Sequence, residues 1–232
     1  MTRGFSVVEL REQCQTLKMD WTLRSPFVRA RPVVPLLALA SCASLPDYAT
    51  PKGGVVDPDQ LSAADTITYR ALTRSDFRAE APPDSARQHA EKLGALTCAV
   101  VVTTPDTRYE VQERRKGNSS TYHGYFTALG FEARMDRSCS WWNSQATTTP
   151  ESYILQHEQI HFALTEIEAR HQNAGVPEVL SDFSVDGDDP DEIRDKIQAK
   201  LDSLLADAME RLLDRNQDFD EDTSLVHDVE AQ

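Results

Sequence analysis

Basic residues are scarce in this chain. Its 232 residues include 24 lysines and arginines against 38 aspartates and glutamates, which gives a formal net charge of −14. A protein that binds the nucleic-acid backbone needs a basic surface to neutralise the phosphates. The composition therefore argues against nucleic acid as a partner and is compatible with a soluble exported protein.

Long apolar runs are missing as well. The run from Val33 to Ala40 is much shorter than the roughly 20 apolar residues that cross a bilayer. It follows three arginines and precedes Ser41, and this order of a basic, an apolar and a small-residue segment is typical of an export signal. Leu39-Ala40-Ser41-Cys42 also resembles the bacterial lipobox, which predicts that Cys42 is acylated and becomes the first mature residue. A plain signal peptide that is cut nearby is the alternative.

These features predict three parts of the chain. Residues 1–41 form a leader, within which Met19 is an alternative start, and residues 42–64 form a tether rich in proline and glycine. Residues 65–232 form one folded domain.

Cysteine is also infrequent, with four residues in the whole chain. Cys14 falls in the leader and Cys42 is the predicted lipidation site, which leaves Cys98 and Cys139 in the exported domain. An even pair of cysteines in an oxidising compartment predicts one disulfide.

The most informative segment present is His157-Glu158-Gln159-Ile160-His161, an H-E-x-x-H pattern. Histidines four residues apart lie on one face of a helix and can share a metal ion. Glu158 projects about 100° further round the helix, where it can take a proton from a water activated by Zn²⁺. The pattern predicts that His157 and His161 bind zinc and that Glu158 is the general base. The alternative is two core histidines beside a solvated glutamate.

The residues around this pattern predict an amphipathic helix. Thr148 or Thr149 can cap its first turn, and Pro150 suits a helix start. Asn173-Ala174-Gly175 followed by Pro177 predicts its end.

A catalytic zinc site usually has three protein ligands and one open position, so a third ligand is needed. Glu168 lies about 10.5 Å beyond His161 along the helix axis, too far to reach the same ion, and Ile167 occupies the position where metzincins have their third histidine. The candidates must therefore come from other segments. They are His227, Asp222, Glu221 and the aspartates between Asp182 and Asp189. His227 is preferred because imidazole is a common third ligand.

The remaining sequence predicts an α+β fold, with a small antiparallel sheet followed by the H-E-x-x-H helix and a long C-terminal amphipathic helix. The sheet is expected to be a meander of four or five strands. Its segments are 65–76, 96–103, 108–114, 121–129 and 131–135, with a short helix over 85–93. The acidic stretch Ser181–Asp189 lacks the length and terminal glutamate of a calcium loop and is expected to be a solvated turn. The C-terminal helix begins near Asp189-Pro190.

The segment Leu155–Phe162, followed by Glu166 and Ala169-Arg170, resembles the helix of a bacterial family of predicted secreted zinc-dependent proteases, long kept as a domain of unknown function. The likeness extends over most of residues 65–232. It includes the segment Leu72-Thr73-x-x-Asp76-Phe77 and a tail like Phe219-Asp220-x-Asp222-Thr223 that leads to a histidine. In the family this histidine closely follows the threonine, whereas here Ser224-Leu225-Val226 precede His227. The resemblance implies a zincin-type metallopeptidase.

The leading hypothesis is an exported zinc metallopeptidase that acts on a peptide or protein substrate. It would lie on the periplasmic side of a bacterial membrane as a lipoprotein, touching that membrane only through the lipid at Cys42, or it would be secreted. One alternative is a non-catalytic metal-binding envelope lipoprotein. Another is a metal-dependent hydrolase of a different substrate, such as a cell-wall component.

Overall fold

The fold is α+β, with small antiparallel sheets and two long helices. The structure, a computed structural model, describes residues 65–84, 86–145 and 149–223. The leader, the tether, the lipidation site predicted at Cys42 and the ligand predicted at His227 lie outside these residues. The predicted fold class is confirmed.

Eight strands and two helices make up the described part of the chain. The strands are β1 (Thr66–Thr68), β2 (Ala95–Leu96), β3 (Ala99–Thr103), β4 (Arg108–Lys116), β5 (Ser119–Ala128), β6 (Phe131–Asp136), β7 (Trp141–Trp142) and β8 (Ser184–Gly187). The helices are α1 (Glu151–Asp182) and α2 (Pro190–Thr223), and short 3₁₀ turns span Arg74–Asp76 and Arg87–Lys92.

The strands form three small sheets, with the orders β1-β6-β3, β2-β7 and β4-β5-β8. The prediction of one meander is therefore wrong, because β5 and β6 follow each other in sequence but lie in different sheets. The chain turns at Gly130, whose carbonyl accepts a hydrogen bond from the amide of Thr104 at 2.8 Å. This turn directs β6 along β3, and Phe131 pairs with Thr103.

Two predicted segments differ in detail. The expected strand over 65–76 is limited to β1, because the side chain of Asp76 accepts the amide of Thr73 at 2.9 Å and closes a 3₁₀ turn. The acidic stretch after α1 forms β8 rather than a solvated turn, and β8 pairs with β5. The side chain of Val185 in β8 packs against the core, whereas in a solvated turn it would be exposed.

Helix α1 continues seven residues beyond Gly175, where the sequence predicted its end. A proline inside a helix costs about 3 kcal/mol. Val176 is buried and Val179 packs against the same core cluster, and full burial of one such side chain contributes roughly 1.5–3 kcal/mol. The apolar contacts therefore offset Pro177, and the helix ends at Asp182. At its start Pro150 is the N-cap, so Thr149 does not occupy that position, and Thr148 lies outside the described residues.

Helix α2 has the predicted amphipathic pattern, with a buried face formed by Ile193, Ile197, Leu201, Ala208 and Leu212. It runs antiparallel to α1. Two hydrogen bonds between the helices show this. Gln172 donates to the carbonyl of Leu204 at 3.1 Å, and Arg211 donates to Glu168 at 2.9 Å. The first half of α1 is therefore brought next to the last turns of α2.

The disulfide between Cys98 and Cys139 is present, with a Cα–Cα distance of 5.8 Å. It joins the residue before β3 to the turn after β6. Within the described part of the chain, neither helix contains an apolar stretch long enough to cross a membrane.

Candidate metal centre

Helix α1 presents His157 and His161 on one face, as the four-residue spacing predicts. Their Nε2 atoms lie 3.1 Å apart. Their side chains are largely buried, with 14% and 15% of their surface exposed. The two rings therefore point to a common position rather than into separate parts of the core.

The third residue at this position is Asp220, in the last turn of α2. Its Oδ1 lies 3.0 Å from Nε2 of His161 and 3.2 Å from Nε2 of His157. The three atoms form a nearly equilateral triangle. Within the described residues this is the one group of histidine, cysteine, aspartate and glutamate side chains that could hold a metal ion.

This triangle is slightly smaller than the ligand spacing of a zinc site. Two nitrogen or oxygen ligands of a tetrahedral zinc ion, each about 2.0–2.1 Å from the metal, lie about 3.4 Å apart. The observed separations of 3.0, 3.1 and 3.2 Å differ from this by a few tenths of an ångström. Two imidazoles and one carboxylate also match the ligand chemistry of catalytic zinc sites. The residues present fit the metal that the sequence predicts.

Glu158 lies beside the triangle and is not part of it. The residue is 3% exposed, and its Oε2 atom is buried without a hydrogen-bond partner in the described part of the chain. Leaving a buried carboxylate oxygen unpaired costs free energy, so such an atom is a candidate for a role in chemistry.

Three side chains of α2 support the two histidines. Nδ1 of His161 donates to Oδ1 of Asn216 at 2.7 Å, and Nδ1 of His157 lies 3.5 Å from Oγ1 of Thr223. The ring of Phe219 stacks on His157 with 4.7 Å between the ring centroids. The last two turns of α2 thus contact both histidines.

Charge and hydrogen bonding couple the three side chains of the triangle. Burial lowers the pKa of His161, but the hydrogen bond and negative charge of Asp220 outweigh burial and raise this pKa to about 9. Burial raises the pKa of Asp220, but the hydrogen bonds from His157 and His161 dominate and hold it well below the usual value. A cation at the centre of the triangle, whether a proton or a metal ion, therefore neutralises the carboxylate.

The third ligands predicted from the sequence lie elsewhere or are outside the described residues. His227 is outside the described residues, while Asp222 and Glu221 are exposed on α2. The aspartates between Asp182 and Asp189 lie near the start of α2, about 45 Å along its axis from Asp220. Glu168, which the sequence placed out of reach of the metal, is fully buried and is bound by arginines from α2.

Asp220 was not among the candidates from sequence. Helix α2 continues to Thr223. Its residues Asn216, Asp220 and Thr223 occupy positions i, i+4 and i+7, which lie on one face. That polar stripe is the signal in the sequence that could have added Asp220 to the candidates.

Comparison of the chain with protein-family models, with curated proteins and with solved structures found no match.

Proposed function

We propose that this protein is a zinc-dependent hydrolase, with His157, His161 and Asp220 as the metal ligands and Glu158 as the general base. The observation that carries the proposal is the convergence of three ligand atoms within 3.2 Å of one another next to a buried carboxylate oxygen that lacks a partner. Three protein ligands leave a fourth position for water or substrate.

The chain and the metal have separate tasks in this reaction. When bound, zinc polarises a carbonyl and lowers the pKa of water. Glu158 takes the proton of the attacking water and delivers it to the leaving amine, so one carboxylate acts first as base and then as acid. The burial of Glu158 strengthens its electrostatic interactions with the reacting groups.

The proposal of a peptide substrate follows from the H-E-x-x-H pattern, in which Glu158 directly follows the first of the two histidines. The resemblance to secreted zinc-dependent proteases implies the same substrate class.

A specific observation favours the alternative of a non-catalytic metal-binding protein. The side chains of His157, His161 and Asp220 are only 14–17% exposed, and Glu158 is 3% exposed. A structural metal site would be enclosed in this way. The two proposals differ in whether Glu158 is needed for activity.

Metal content tests the ligand set. The full chain is expected to carry about one zinc ion, which the variants His157→Ala, His161→Ala and Asp220→Asn lose. Asp222→Asn is the matched control, because Asp222 is exposed on the same turn of α2, and it should keep the metal. Elemental analysis after gel filtration measures the ratio. Native zinc content in both histidine variants would contradict the proposal.

Hydrolysis of a peptide library tests the activity. Glu158→Gln keeps the size of the side chain and removes the base, so we expect native zinc content with a rate lowered about 10²–10⁴-fold. Activity that survives unchanged would come from a contaminating protease. Zinc binding in a native chain that hydrolyses no peptide would favour the non-catalytic alternative.

We also propose export, with a lipid anchor at Cys42. The disulfide between Cys98 and Cys139 supports this, because such bonds persist in oxidising compartments outside the cytosol. Mass spectrometry of the mature protein should detect the acyl chains, and Cys42→Ser should remove both the acyl mass and the membrane association. An unmodified Cys42 would contradict the anchor.

A further inference from the structure

Each of the two histidines at the candidate metal centre has one ring nitrogen directed at the triangle and the other directed at α2. A neutral histidine can bind a metal through Nε2 only if its proton is on Nδ1. The tautomer is therefore set by whatever accepts the hydrogen bond from Nδ1.

For His161 the acceptor is the side-chain amide of Asn216. Its Nδ2 donates to the carbonyl of Leu212 at 2.9 Å, while its Oδ1 lies 2.7 Å from Nδ1 of His161. Reversing the amide would place its oxygen against the carbonyl oxygen of Leu212, which can only accept, so the bond to Leu212 fixes the orientation. Asn216 can therefore only accept from His161, which places the proton on Nδ1 and the free electron pair on Nε2.

For His157 the acceptor is the hydroxyl of Thr223. This hydroxyl donates to the carbonyl of Phe219 at 2.6 Å, so Oγ1 offers an electron pair to Nδ1 of His157 at 3.5 Å. Thr223 is fully buried, which keeps water from replacing it. The contact is longer than that of Asn216, so we expect its effect to be smaller.

We propose that Asn216 and Thr223 are positioning residues that hold His161 and His157 with Nε2 directed at the metal. The two residues are seven positions apart, with Asp220 between them on the same face of α2. One helix end thus supplies a ligand and the groups that orient the other two ligands. This proposal rests on the proposed zinc binding and concerns how tightly the metal is held.

Zinc affinity of the full chain, measured by competition with a chelating indicator, tests the role of Asn216. Asn216→Leu removes the acceptor at similar size, and we expect affinity to fall 10–100-fold. Asn216→Asp retains the acceptor but loses the hydrogen bond to the carbonyl of Leu212, so it should recover part of the lost affinity. Gln217→Leu is the matched control, because Gln217 is exposed and bonds Glu221 on the same helix, and its affinity should be native.

A second measurement separates positioning from a structural role. The thermal midpoint of each variant is determined in excess chelator, and the Co²⁺ spectrum of each metal-loaded variant reports the coordination geometry. Positioning predicts that Asn216→Leu alters the spectrum and that Asn216→Asp partly restores it. The inference is overturned if Asn216→Leu binds zinc as the native chain does, or if Asn216→Asp recovers none of the lost affinity. Absence of zinc from the native chain would instead refute the proposed function.

Thr223 is tested with the pair Thr223→Val and Thr223→Ser. Valine removes the acceptor and should lower zinc affinity by about tenfold, at the lower end of such effects, whereas serine keeps the hydroxyl and should remain close to native. Equal affinities for the two variants would overturn the role of Thr223.

Discussion

At the scale of single residues, Asp76 shows how a buried charge orders a loop that is bound to the helix carrying the candidate site. It is 1% exposed and receives two hydrogen bonds from Arg70, at 2.6 and 2.9 Å, while Arg137 lies 3.3 Å away. Next to it, Gln159 of α1 accepts the amide of Leu72 at 2.6 Å. The middle residue of the H-E-x-x-H pattern therefore holds this loop against α1.

Asp76→Asn should destabilise the protein. It keeps the shape of the side chain but removes the charge that neutralises Arg70 and Arg137, and breaking a buried ion pair in this way costs about 3 kcal/mol or more. The free energy of unfolding at neutral pH, measured in urea, checks this. Glu113→Gln is the control, because Glu113 is exposed beside Arg115, and it should leave the stability unchanged.

The loss of stability caused by Asp76→Asn should also depend on pH. Burial raises the pKa of Asp76, but the hydrogen bonds from Arg70 and Thr73 outweigh it and hold the pKa below the usual value. A carboxyl whose pKa is lowered by folding contributes stability that is complete above its unfolded value, near 4, and that is lost as the pH falls through the folded value. The native and variant curves should therefore converge in acid. A gap that is constant down to about pH 2 would contradict this assignment.

At the scale of elements, the contact between α2 and β5 determines where the helix that carries Asp220 lies. Gly124 of β5 faces this helix, and a Cβ atom placed there would collide with Ile193 and lie 2.8 Å from Ile197. Both isoleucines are buried. The absence of a side chain on β5 thus allows α2 to pack closely over the sheet.

Gly124→Ala should destabilise the protein by about 1–3 kcal/mol, because the added methyl overpacks a filled core. Gly175→Ala is the matched control. Gly175 lies within α1 with nothing within 4 Å of an added Cβ, so alanine there should stabilise by roughly 0.5–1 kcal/mol. Denaturant unfolding of both variants gives the sign of each change. If Gly124→Ala were as stable as the native chain, α2 would pack less closely on β5 than described.

At the scale of the whole molecule, one disulfide joins the chain next to two neighbouring strands, β3 and β6, of the sheet that supports α1. Cys98 precedes β3 and Cys139 follows β6, with a sequence separation of 41 residues. In the chain-entropy model a closed loop of this length stabilises the folded state by about 4 kcal/mol. The bond acts mainly by restricting the unfolded chain.

The double variant Cys98→Ser, Cys139→Ser should therefore be less stable than the native protein by about 2–5 kcal/mol. Reductant should lower the free energy of unfolding of the native protein to that of the variant. It should leave the free energy of unfolding of the variant unchanged. Urea unfolding with and without reductant measures both effects. A native protein whose stability is the same after its thiols are shown to be reduced would contradict the role of the bond.

Local patterns in the sequence were sufficient to predict several features of the structure. The four-residue spacing of His157 and His161 placed both rings on one face because helix geometry depends only on neighbouring residues. The regular apolar spacing predicted the amphipathic helix α2, and the pair of cysteines predicted the disulfide. The extension of α1 past Pro177 was not predicted, because it depends on a core that distant segments complete.

The tertiary structure alone decided which helices and strands pack against one another. Asp220 lies 63 residues from His157, and it reaches the histidines only because α2 packs antiparallel to α1 in one register. That register follows from Gly124 under Ile193 and from Glu168 between its arginines, contacts that no periodicity in the sequence encodes. The sequence by itself therefore brought His157, Glu158 and His161 together on one helix, while packing between distant residues decided that Asp220, Asn216 and Thr223 lie beside them.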